Sequence, residues 1–101
     1  MWMMVMFDLP VTEPEERKRA TAFRNFLLDD GFEMSQFSVY FHFCGTREQA
    51  LPFVKRIQSN APQDGKISIL FFTDKQFGDI ITICNRKPVL MHETPDQLTL
   101  F

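Results

Sequence analysis

The chain has 101 residues, two cysteines and a formal net charge of -2, which places it as one domain and excludes nucleic-acid binding by bulk charge; any such binding needs basic residues gathered locally. Cys44 and Cys84 lie far apart without CxxC spacing, and His42 and His92 are isolated, so neither a disulfide framework nor a zinc site is indicated. Apolar residues make up 45% of the chain and twelve residues are phenylalanine, more aromatic surface than a small two-layer core hides, which points to an oligomer interface.

Trp2 to Asp8 reads WMMVMFD, an apolar run ending in one carboxylate and closed by Leu9-Pro10. A strand with one wet face alternates, and this one does not, so the run predicts a central strand buried on both faces. Asp8 then stands at its carboxyl end, where such sheets expose chemistry; the plain structural reading is a residue that opens the next turn. The run is too short to span a membrane and has no basic leader, so a cytoplasmic protein with no membrane partner is expected.

Thr12 and Glu15 have capping-box spacing with Pro14 in the first turn, which predicts a helix to about Asp30 stopped by Gly31. Ala20, Phe23 and Leu27, with Phe26 beside them, form its buried stripe, while Arg17, Lys18, Arg19 and Arg24 cluster along it. Four basic residues on a helix are often simply a solvated face. A short strand is expected near Phe32 to Gln36 and a longer one from Ser38 to Cys44, with Phe37, Val39, Phe41 and Phe43 on one face and Ser38, Tyr40, His42 and Cys44 on the other. His42 reads as a partly buried sheet residue, since no second ligand stands at metal spacing.

Thr46 and Gln49 offer a second capping box, opening a helix to about Asn60 with Ala50, Phe53, Val54 and Ile57 inward. Pro52 predicts a late start or a bend. After the Asp64-Gly65 turn signal, Lys66 to Thr73 is a nearly all-apolar strand and a natural neighbour of the first. Asp74 to Gly78 reads as a polar connection around a lone Phe77, followed by a short strand from Ile80 to Cys84. Residues 85–101 read as a C-terminal extension to a domain over 1–84, and Gln97-Leu98-Thr99-Leu100-Phe101 alternates like a strand that docks on a sheet edge.

The order strand, helix, strand, strand, helix, strand predicts an α+β class, a ferredoxin-like βαββαβ two-layer sandwich with extra C-terminal strands. Both helices pack on one face, so the other, apolar face is expected to meet a second copy, sheet to sheet, across a two-fold axis.

Val5-Met6-Phe7-Asp8, Arg17-Lys18-Arg19, Asp30-Gly31-Phe32 and Gln36-Phe37-Ser38-Val39-Tyr40 together resemble the small CRISPR-associated adaptation protein family called Cas-two. Thr73-Asp74-Lys75-Gln76-Phe77 and the terminal Gln97 to Phe101 are most similar to members that accompany type II systems. The resemblance spans nearly the whole chain and lies in the order and spacing of motifs that are each weak. It implies a homodimer that partners the CRISPR-associated integrase, bridges integrase dimers and holds the double-stranded DNA of an incoming fragment. It also implies Asp8 from each subunit meeting near the two-fold axis to hold a magnesium ion (Mg2+), as metal ligand and catalytic residue for phosphodiester hydrolysis of RNA or DNA. Arg17, Lys18, Arg19 and Arg24 are then the nucleic-acid-binding candidates, since dimerisation doubles a modest basic patch.

The sequence departs from the family's nuclease pattern. Met34 stands where the family often has arginine or lysine, and Ala20 and Ala22 best match the positions of helper basic residues, while Tyr40 matches the family's aromatic. The alternative expectation is a stand-alone or toxin-like magnesium-dependent endoribonuclease. A small-molecule-sensing regulatory module is disfavoured by the lack of a Gly-rich ligand loop, and an RNA-recognition module by the lack of its aromatic strand motif.

Overall fold

A computed structural model describes residues 1–90 of the chain. Its elements are β1 (Trp2–Asp8), α1 (Pro14–Asp29), β2 (Glu33–Gln36), β3 (Val39–Phe43), α2 (Arg47–Asn60), β4 (Lys66–Phe72), α3 (Asp74–Gly78), β5 (Ile81–Cys84) and β6 (Lys87–Leu90). The first four strands form one antiparallel sheet in the order β2-β3-β1-β4. Phe23 and Leu27 of α1 and Ala50 and Ile57 of α2 share a core with Met3, Val5, Phe7 and Tyr40, so both helices cover the same face. This is the expected ferredoxin-like α+β sandwich.

The interior is aromatic. Phe7 meets Phe23 edge-on at 5.2 Å between ring centroids and lies 5.8 Å from Tyr40; such pairs add about 0.5–1.5 kcal/mol beyond their burial. Arg56 Nε donates to both carboxylate oxygens of Asp30, at 3.1 and 3.2 Å, joining α2 to the end of α1. That end is a Schellman turn. The Phe32 N–H donates to the Leu27 carbonyl, the Gly31 N–H to that of Leu28, and Gly31 takes φ +95°, a backbone region open to glycine.

Several expectations are corrected. The first helix starts one residue later than Thr12–Glu15 spacing implied: Glu13 is the cap, Pro14 is the first helical residue, and Glu16 Oε1 accepts from the Glu13 N–H at 2.8 Å. Two overlapping boxes were available, and proline's fixed φ selects the register that puts it first. The second helix does not start late. It begins at Arg47, capped reciprocally by Thr46 and Gln49, and the exposed Pro52 is carried inside it. Phe37 does not share the Val39 face but occupies the β2–β3 turn beside Ser38, whose φ is +68°.

The two-faced burial of β1 is only half realised. Met3, Val5 and Phe7 are buried beneath the helices and Met4 is buried on the opposite face, but Met6 is 42% exposed. The segment expected as a polar connection is what covers part of that second face. Thr73 and Gln76 cap each other, building α3, and the buried Phe77 ring stacks parallel on Trp2 at 4.1 Å and lies 5.4 Å from Phe41.

Beyond α3, β5 and β6 form their own two-stranded sheet. Its turn residues, Asn85 and Arg86, both have positive φ, as a two-residue hairpin turn of the primed type requires. The expected 84/85 domain boundary falls in this turn, and the expected docking strand Gln97 to Phe101 lies outside the described residues. No helix among the described residues is long and apolar enough to cross a membrane.

The cysteines differ in environment. Cys44 is buried, its thiol donates to the Met1 carbonyl at 3.3 Å, and burial raises its pKa; Cys84 is exposed. Since the thiolate is the reactive form, a thiol reagent at mildly alkaline pH is expected to label Cys84 rapidly and Cys44 only on unfolding. Rapid labelling of both thiols in the native protein would show that the β3 end is open.

Candidate functional site

The site is built at the carboxyl end of β1. Phe7 points into the core, so strand alternation turns Asp8, the next residue, to the face away from α1 and α2, where it is exposed. Directly across the β1–β4 ladder stands Lys66, which gives the carboxylate an opposite charge as cross-strand neighbour. The turn before Lys66 closes tightly on this strand end. Gly65 has φ +101°, and a Cβ there would lie 2.7 Å from the Leu9 side chain and 2.8 Å from the Asp8 carbonyl oxygen. On the other side, the Phe7 N–H donates to the Ser38 carbonyl at 3.1 Å. Asp8 is thus held between the β2–β3 turn and the Asp64-Gly65 turn.

Among the described residues, no three acidic, histidine or cysteine side chains come together to hold a metal ion. One copy offers a single carboxylate facing an ammonium, which does not fit a divalent cation. Magnesium takes hard oxygen ligands and keeps several waters, so a second carboxylate from another copy is required before the donor set suits it.

The four basic residues of α1 do not form one patch. At 3.6 residues per turn, Arg17 and Arg24 share one flank, Arg19 lies on the opposite flank, and Lys18 faces outward. Arg17 donates to the Val11 and Thr12 carbonyls at 3.1 and 2.8 Å, so it braces the loop that follows Asp8. Arg24 lies over the Phe37 ring, 4.5 Å from its centroid, and its Nε is buried with no hydrogen-bond partner. Lys18 and Arg19 are exposed.

Tyr40 is a core residue and Met34 is exposed on the edge strand β2, while Ala20 is buried and Ala22 exposed. His42 has the structural role read from its isolation. Its Nδ1 lies 2.9 Å from the Gly31 carbonyl, and its ring meets Phe32 and Phe53. Donation to a carbonyl requires the proton on Nδ1. Sequence reasoning missed Lys66 as the neighbour of Asp8, because strand register is not visible in either segment alone. It read Gly65 only as a turn, although the Asp-Gly pair was signal enough to look for a close approach.

A family model described as CRISPR associated protein Cas2 matches residues 1–80. Over 101 residues, all of this chain, it is 48% identical to the CRISPR-associated endoribonuclease Cas2 of Flavobacterium psychrophilum, covering 88% of that protein. It is likewise 48% identical over 101 residues to the protein of the same description from Paracidovorax avenae, covering 94% of it. The counterpart from Parvibaculum lavamentivorans is 43% identical, with 100% of each chain covered.

Proposed function

Because the chain belongs to the CRISPR-associated protein Cas2 family, we propose that it serves CRISPR adaptation as a homodimer that bridges integrase dimers and holds the duplex DNA of an incoming fragment. The observation that carries this reading is the sheet face turned away from the helices. Both helices lie on the other side, α3 covers only part of this face, and Met6 and Phe43 remain exposed on it. A second copy packed there by two-fold symmetry buries that surface and supplies a second Asp8 carboxylate across the axis. Lys18 and Arg19, duplicated by the same operation, supply charge for sequence-independent phosphate contacts.

The paired Asp8 carboxylates are the candidate ligands of a magnesium ion, with Lys66 beside them to attract phosphate. A bound magnesium ion supplies charge stabilisation at the phosphoryl oxygens and an activated water. The second reading, a magnesium-dependent endoribonuclease, is favoured by the exposure of Asp8 and by the description carried by the relatives.

Spacer integration reconstituted with the integrase, run beside a magnesium-dependent cleavage assay, separates the two. Asp8→Ala is expected to keep the dimer in light scattering and to keep integration, while any cleavage falls to background. Loss of both activities with the dimer intact moves the endoribonuclease reading to the front.

A further inference from the structure

Phe37 lies outside the hydrophobic core. It sits in the two-residue turn between β2 and β3 and is 76% exposed, yet a phenylalanine buried in the core is worth roughly 1.5–3 kcal/mol relative to one in water. The turn that carries it is not loose. Gln36 pairs with Val39 across the hairpin, and the Ser38 carbonyl accepts from the Phe7 N–H, so the ring is presented from a fixed backbone. One neighbour is identified. The Arg24 guanidinium lies 4.5 Å from the ring centroid, its Nε is buried without a hydrogen-bond partner, and among the described residues no carboxylate pairs with it.

We propose that Phe37 and Arg24 form a nucleotide-stacking site, at which the base of an unpaired nucleotide stacks on the ring and its phosphate accepts from the guanidinium. An aromatic face beside an uncompensated cation suits a ligand that is flat and apolar at one end and anionic at the other. An apolar protein side chain would use the ring and leave the cation's charge unanswered. Exposed aromatics on which bases stack, flanked by arginine, are the recurring device of single-strand binding. The hydrogen bond between Phe7 and Ser38 fixes the turn at the end of β1, and the ring lies on the α1 side of the sheet, against Arg24, clear of the face proposed for the second copy. The inference rests on the nucleic-acid-binding reading above and adds that the site takes a single-stranded end rather than duplex backbone.

The test titrates full-length protein with a blunt DNA duplex and with the same duplex carrying a short single-stranded overhang, followed by anisotropy. Wild type is expected to prefer the overhang. Phe37→Leu, apolar but unable to stack, is expected to lose about tenfold in overhang affinity with blunt affinity unchanged, which also controls for folding at this exposed site. Phe37→Trp is expected to keep the preference and to show fluorescence quenching beyond that of wild type when the overhang binds. Overhang binding by Phe37→Leu equal to wild type overturns the proposal, and so does equal weakening of both duplexes. Unchanged DNA binding with lost integrase co-elution would make the patch a protein contact instead. Binding of neither duplex by wild type sinks the nucleic-acid reading itself, whereas blunt binding without overhang preference sinks only the stacking site.

Discussion

Phe77→Ala is expected to destabilise the chain by about 3 to 5 kcal/mol in urea unfolding, the range for truncating a buried phenylalanine. The helix that carries Phe77 has five residues, too few to stand without tertiary support. Its other supports are small: the Thr73–Gln76 cap, an exposed Lys75–Asp79 pair at 3.0 Å and a pair between the Met1 ammonium and the exposed Asp74 at 3.2 Å, and exposed pairs of that kind contribute at most about 1 kcal/mol each. The ring stacked on Trp2 therefore decides whether α3 stays on the sheet. Trp2 is the only tryptophan, so its emission reports the event directly and should shift to longer wavelength in Phe77→Ala. Phe77→Leu should recover most of the stability. A loss below about 1 kcal/mol with unchanged emission would mean that α3 does not cover the sheet.

Gly65→Ala is expected to cost about 2 to 4 kcal/mol, combining a φ that L-residues rarely adopt with overpacking against backbone. The obstruction is the Asp8 carbonyl, which cannot rotate aside as a flexible side chain can, so relief must come from moving the end of β1 or the turn. Gly78→Ala is the internal control. A Cβ there meets nothing within 4 Å, and alanine in a helix is favoured over glycine by about 1 kcal/mol, so this variant should be neutral or slightly stabilised. Similar urea midpoints for the two variants would show that the Asp64-Gly65 turn does not clamp the candidate site.

Element types were largely legible because each signal was local. Thr46 with Gln49, Gly31 after a helical stripe, and the apolar runs at Trp2 and Lys66 each predicted an element that formed. The α3 helix was equally legible in principle, since Thr73 and Gln76 repeat the Thr46–Gln49 spacing. It was missed because one phenylalanine among polar residues gives no periodicity over five positions. The hairpin of β5 and β6 hid for another reason. Arg86 holds a positive φ where glycine would have announced the turn.

The candidate site was legible only at Asp8, and only as a residue at a strand end. The separation of Arg17 from Lys18 and Arg19 follows from helical rotation and could have been counted. That Arg17 is taken up by the Val11 and Thr12 carbonyls depends on the path of a loop. The isolation of Arg24 with Phe37 depends on how the β2–β3 turn folds toward α1.

The position of β1 in the middle of the sheet governs when this chain can fold. β1 pairs on one side with β3 and on the other with β4, where Trp2 meets Phe72. Long-range antiparallel pairing of this kind slows folding, because loop-closure entropy is lost before contacts return it. During synthesis, this apolar strand waits without its second neighbour until Lys66–Phe72 has left the ribosome. Nascent chains that stop before β4 should accordingly be sticky, protease-sensitive and dependent on chaperones, whatever the stability of the finished domain.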